Sequence, residues 1–193
     1  MINQTSKSGF ALLMTLIVIG VVLSIGLSIL DLSIKQVNLS TNAKESETAF
    51  HAANAGLECA HYWRRAASST METGGDLDAD CFGESVNNIS PSTISSGVSG
   101  VGVVYEYEYE FTWGTDPRCT QISTVVAYPD LFGAGITITE SAMQSLIPGF
   151  PAQGDEVCPA GEQCTTIAVR GYNRPCATAT GYGAVQREVL LQF

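Results

Sequence analysis

The sequence predicts an α+β fold, one long amino-terminal helix packed on a roughly four-stranded antiparallel sheet. Three observations lead there. Phe10 to Leu30 is an apolar run without a single charge. No proline precedes Pro91, so a helix begun in that run can continue to about Arg65. Finally, Val103, Tyr105, Tyr107, Tyr109, Phe111 and Trp113 alternate with Glu106, Glu108 and Glu110, the period-two signature of a strand with one dry and one wet face.

At 1.5 Å per residue the apolar run spans about 31 Å, the thickness of a bilayer's hydrocarbon core. A helix reaching Arg65 would be roughly 84 Å long. Past the run, Ile34, Val37, Thr41, Phe50, Ala53 and Leu57 recur every three or four residues with one longer gap. Lys44, Glu45 and Glu47 stand between them, so this stripe is expected to face the sheet. Gly20 and Gly26 each weaken the helix by about 1 kcal/mol relative to Ala. Glycine is common in membrane helices, so neither marks a site.

Four strands are expected at Val103–Trp113, Thr120–Ala127, Thr165–Gly171 and Ala184–Phe193. Ser68 to Gly100 is rich in Gly, Ser, Asn and Asp and reads as a long connecting loop. Tyr128 to Gln163 is a Pro- and Gly-rich excursion, with Ile136 to Thr139 as an additional short strand.

The length of 193 residues suits one compact domain plus an anchoring segment. A formal charge of −10 argues against nucleic acid, which requires a basic footprint. All six cysteines follow the apolar run: Cys59, Cys81, Cys119, Cys158, Cys164 and Cys176. An even number beyond an anchor reads as disulfides in an oxidising compartment, and no C-x-x-C pair supports a metal. Six cysteines allow fifteen pairings. Chain geometry favours Cys158 with Cys164 around a Pro-Ala-Gly turn and Cys59 with Cys81 as a staple from loop to helix. Cys119 and Cys176 are left at adjoining strand ends.

Asp76, Asp78 and Asp80 have the D-x-D-x-D spacing of a calcium loop. Cys81 and Asn87 stand where that motif needs Gly and an acid, so a solvated acidic loop is expected and no metal. No nucleophile elbow, Walker loop or H-E-x-x-H motif occurs. Cys59 and His61, two apart on a helix, face different directions and make a poor catalytic pair. Asn38-Leu-Ser40 and Asn88-Ile-Ser90 match the glycosylation sequon, a frequent chance match.

A cleaved secretory signal would have a shorter apolar core and a small-residue site after it, which D-L-S-I-K-Q does not offer. Instead, K-S-G-F-A-L-L-M-T-L-I-V-I resembles the class III signal of type IV prepilins and pseudopilins. Downstream, A-F-H-A-A-N-A-G-L-E from Ala49 to Glu58 resembles a helix segment of PilX-type minor pilins. The resemblance is close over the first 65 residues or so and only architectural beyond. It implies a leader over 1–9 cut by a prepilin peptidase between Gly9 and Phe10, with Phe10 becoming a methylated amino terminus. It further implies a transmembrane and assembly helix over 10–30, an amphipathic helix over 31–67 and an extracellular head over 68–193, together forming a pilin-like roll. Most major pilins carry Glu where this chain has Met14, and many carry Pro where it has Asp31. Met14 therefore points to a minor or tip pilin acting in assembly and attachment.

The implied partners are other pilin subunits, the prepilin peptidase and, before assembly, the cytoplasmic membrane. The final location is a cell-surface filament. No enzymatic activity and no cofactor are expected. Two alternatives share the same sequence features: a pseudopilin of a type II secretion system, and a non-pilin binding domain on a single-pass anchor.

Overall fold

The computed structural model of the protein describes residues 7–115 and 117–193. The chain divides into two compact units, the first ending at Lys44 and the second running Glu45–Phe193. Most of the expected leader, residues 1–6, lies outside the described residues.

Helix α1 spans Lys7–Ala66. Arg64 and Arg65 occupy its last turn, where cations complement the carboxyl end of the helix dipole. In the first unit α1 is the only element among the described residues, and its apolar side chains are exposed.

The second unit begins with the remainder of α1. Helix α2, Ser68–Thr73, follows and stops at Gly74 with φ +74°. A Cβ at Gly74 would also run into the Tyr105 ring, so both conformation and space call for glycine. Next come β1 (Leu77–Cys81), β2 (Glu84–Ile89), β3 (Ser92–Thr93), β4 (Val98–Gly100), β5 (Gly102–Trp113) and β6 (Arg118–Pro129). Then follow β7 (Ile136–Ile138), α3 (Glu140–Leu146), β8 (Glu156–Cys158), β9 (Cys164–Tyr172) and β10 (Gln186–Gln192).

The principal sheet has five strands in the order β10-β9-β6-β5-β3, all pairs antiparallel. The fifth strand is the two-residue β3, so four long strands carry the sheet. Two small antiparallel sheets accompany it, β1-β2 and β4-β7-β8.

The sheet is covered on both faces. On one side Tyr107, Tyr109, Phe111, Ile122, Val126, Ile167 and Val169 form a core with Ala53, Cys59 and Ala60 of α1. Tyr107 is fully buried, and its hydroxyl donates to the Gly75 carbonyl at 2.9 Å. On the other side Val104, Val125, Ala127 and Ala168 pack with Ile136, Ile138, Met143, Ile147 and Phe150. This second core comes from the Tyr128 to Gln163 excursion, which folds back over part of the sheet.

Three expectations need correction. Ser68–Gly100 is not a loop: it contains α2 and four strands. Its polar composition is that of a hairpin with one solvated face, since Leu77, Ala79 and Cys81 are buried while Asp78 and Asp80 are exposed. The glutamate face of β5 is not uniformly wet, because Glu106 is only 9% exposed. Finally, the buried stripe of α1 is made of small residues, Ala49, Ala52, Ala53, Gly56 and Ala60, whereas Ile34, Val37 and Phe50 are exposed.

Candidate functional site: an apolar helix and a stapled head

Within the first unit, α1 is long and apolar enough to cross a membrane, and none of its most apolar stretch is buried by protein. Phe10 is 68% exposed and Met14 50%, with Leu12, Leu13, Leu16 and Ile17 equally open. Gly9, expected to precede the cut, lies inside the helix. The hydroxyls of this stretch are satisfied locally. Thr15 donates to the Leu12 carbonyl, Ser24 to Val21 and Ser28 to Ser24, at 2.8–2.9 Å. Such back-bonding leaves no hydroxyl proton seeking a partner in an apolar medium. The run ends at an exposed Asp31–Lys35 pair 2.9 Å apart, one helical turn between them. A Cβ at Gly20 or Gly26 would meet nothing within 4 Å, so neither glycine serves a contact in the described protein.

In the head, the same helix meets the sheet backbone to backbone. A Cβ on Gly56 would collide with the Thr120 methyl and the Val169 side chain. Thr120 donates its hydroxyl to the Ala52 carbonyl at 3.1 Å. These positions belong to the A-F-H-A-A-N-A-G-L-E segment, so its small residues are the seat of the helix on the sheet. Near the end of α1, Arg64 is 5% exposed and donates to the Thr165 hydroxyl at 2.8 Å and to Glu72 at 3.1 Å. Sequence reading passes over Arg64 because a cation in a helix's last turn looks like an ordinary capping charge.

The six cysteines form three disulfides. Cys59 of α1 joins Cys81 of β1, with Cα atoms 5.8 Å apart. Cys119 at the start of β6 joins Cys176 across a Cα distance of 4.6 Å. Cys158 of β8 joins Cys164 of β9 at 5.8 Å. Because all six are oxidised, none can act as a thiolate. That includes the sulfurs of Cys119 and Cys176 that lie near Glu110. His61 does not face Cys59 chemistry either; its ring packs edge-on against Phe193, centroids 5.5 Å apart.

Asp76, Asp78 and Asp80 do not form a loop. They sit before and along β1, and each carboxylate serves the β1–β2 hairpin. Asp76 accepts from the Ser90 hydroxyl and Asp78 from the Asn88 amide, both at 2.7 Å. Asp80 accepts from the Gly83 amide and the Ser85 hydroxyl at 3.2 Å. The alternation L-D-A-D-C around them is the signal that reveals a strand.

On the opposite face of the sheet, burial pushes the Glu106 carboxyl up to about 7, with a further push from the charge on Glu108. Burial also raises the Tyr107 and Tyr109 phenols, so both are neutral donors at physiological pH. Arg170 and Glu188 stand on neighbouring strands, 3.9 Å apart.

No protein-family profile matches the chain, and neither a curated protein nor a solved structure shows significant similarity to it.

Proposed function

We propose that the chain is a structural subunit of a type IV pilus-like filament, a minor or tip pilin. One observation carries this reading: α1 is a single helix whose uncharged, exposed run Phe10–Leu30 fits a bilayer core or a bundle of like helices, and whose last part is the small-residue spine of a disulfide-bonded head.

In this reading the leader is removed after Gly9 and Phe10 becomes the methylated amino terminus. The helix then waits in the cytoplasmic membrane with the head outside. Assembly exchanges lipid for neighbouring pilin helices, a transfer between two apolar media in which backbone and hydroxyl groups are already satisfied. Met14 offers no carboxylate to pair with a neighbour's amino terminus, which suits a scarce subunit at a filament end. The role is mechanical and adhesive rather than catalytic. The head's helix on an antiparallel sheet supports a pilin-like roll, although its five-stranded sheet and its second core are elaborations. A secretion-system pseudopilin is the second reading, favoured equally by the helix and separated by where the subunit is found. Immunogold labelling confined to filament ends is the expected outcome; uniform labelling along filaments contradicts the tip assignment.

A further inference from the structure

We propose that β10 is a dimerisation edge: it pairs antiparallel with β10 of a second copy of this chain, centred on Leu190. The inference does not rest on the filament reading. β10 ends the principal sheet and is bound there to β9 alone. Phe193, the next residue, exchanges both backbone hydrogen bonds with Thr165. Bonding alternates along an antiparallel ladder, so Leu191, Val189 and Arg187 also bond inward. Gln186, Glu188, Leu190 and Gln192 then turn their N–H and C=O groups away from the sheet, and among the described residues no backbone group meets them. Natural edges are guarded by brevity, proline, charge or bulges. β10 has seven residues in unbroken register, no proline, and no charge from Val189 onward.

An extended strand with apolar side chains on one face suits this edge. Arg187 Nε donates to the Ser46 hydroxyl at 2.7 Å and the Phe193 ring packs on His61, so α1 runs alongside β10 from end to end. At about 3.6 residues per turn, Phe50 and Leu57 lie on the helix arc between Ser46 and His61. Phe50 is 49% exposed, while Leu57, Val189 and Leu191 are only partly buried against the core beneath α1. A strand added at the edge would extend that core over them. β10 itself has the matching pattern. With Leu190 on a two-fold axis, Leu190 meets Leu190, Val189 meets Leu191, and Glu188 meets Gln192, a pair able to hydrogen-bond. The outward backbone groups of Glu188, Leu190 and Gln192 then bond one another across the axis. Centring on Glu188 instead opposes two like charges, and centring on Val189 sets Glu188 against Leu190. The contact is isologous and uses the same edge of both copies, so it closes at a dimer.

The test is sedimentation velocity of the full chain in detergent over a range of concentrations, with Leu190→Pro as the critical variant. Proline at 190 removes an outward N–H and leaves the bonds to β9 intact, so the wild-type circular dichroism should be kept. The expected result is a wild-type dimer whose dissociation constant rises at least tenfold in Leu190→Pro. Oxidation of Leu190→Cys should give a disulfide-linked dimer, since the paired Cα atoms would stand about 5.5 Å apart, whereas Gln186→Cys should give none. The cysteine variants read the contact even where proline disturbs the fold. The proposal is overturned if the wild type stays monomeric, which would leave the edge to a strand of another protein. It is overturned equally if Leu190→Pro dimerises as well as the wild type, which would place association on the exposed part of α1. Gln186→Cys cross-linking as readily as Leu190→Cys would also overturn it.

Discussion

Gly171 of β9 lies directly beneath Ala49 of α1, so close that a Cβ on the glycine would overlap the Ala49 carbonyl oxygen and the Ala53 nitrogen. Helix and sheet meet here with no side chain between them. Gly171→Ala should therefore force the helix off the sheet and cost about 1–3 kcal/mol, as overpacking in a tight core does, with Gly171→Val costing more. Denaturant unfolding of the two variants checks this. Wild-type stability in Gly171→Val would mean that the seam is not close-packed.

Arg64 and Glu72 form the buried charged contact at the end of α1, 5% and 12% exposed. Removing one partner strands the other, which typically costs about 3–5 kcal/mol. Glu72→Ala should be strongly destabilising because Arg64 keeps only the Thr165 hydroxyl. Replacing both by apolar residues of similar size should restore much of the loss. A double variant less stable than Glu72→Ala would show that the pair contributes more than mutual neutralisation.

The disulfides close loops of very different length, with separations of 57 residues for Cys119–Cys176, 22 for Cys59–Cys81 and 6 for Cys158–Cys164. Loop entropy then ranks their removal at about 4, 3 and 2 kcal/mol in that order. Pairwise Cys→Ser variants, melted under non-reducing conditions, should lose Tm in the same sequence. An inverted ranking would show that native packing around each bond outweighs the unfolded-state effect.

Much of this architecture could be read from the residues. The four long strands follow from alternation and from turn residues between them, and the helix from the absence of proline. What escaped reading had physical causes. β1 and β2 are short and polar on one side, so Asp, Asn and Gly there look like loop while the alternation of Leu77, Ala79 and Cys81 is easily missed. The expected helix stripe consists mostly of large side chains, yet contact with the sheet selects Ala and Gly. Glu106 stands opposite Val125 and two residues from Val104, both packed with residues of α3, β7 and β8, a long-range event that no local pattern on β5 records. Thus the wet face of a strand cannot be judged from the strand alone.

Glu106 also makes stability depend on pH. Its carboxyl is raised in the folded protein, from an ordinary 4.5 to about 7. A raised folded value means that the folded state binds the proton more tightly than the unfolded chain. The contribution is therefore fully present below about pH 4.5 and is lost as pH rises through about 7. Glu108 adjoins it on β5, while Arg170 and Glu188 lie further along the face on β9 and β10. Wild-type Tm should fall between pH 5 and 8 by more than that of Glu106→Gln. Parallel profiles would place the titrating group elsewhere.

The central claim is that Phe10 begins the mature protein and that α1 is retained as an assembly helix. Intact-mass measurement after co-expression with a prepilin peptidase tests it most directly. The account predicts a loss of the mass of Met1–Gly9, an added methyl group on Phe10, and no processing when Gly9 is replaced by a bulky residue. A mature chain that still starts at Met1, or one that starts beyond Leu30, would contradict it.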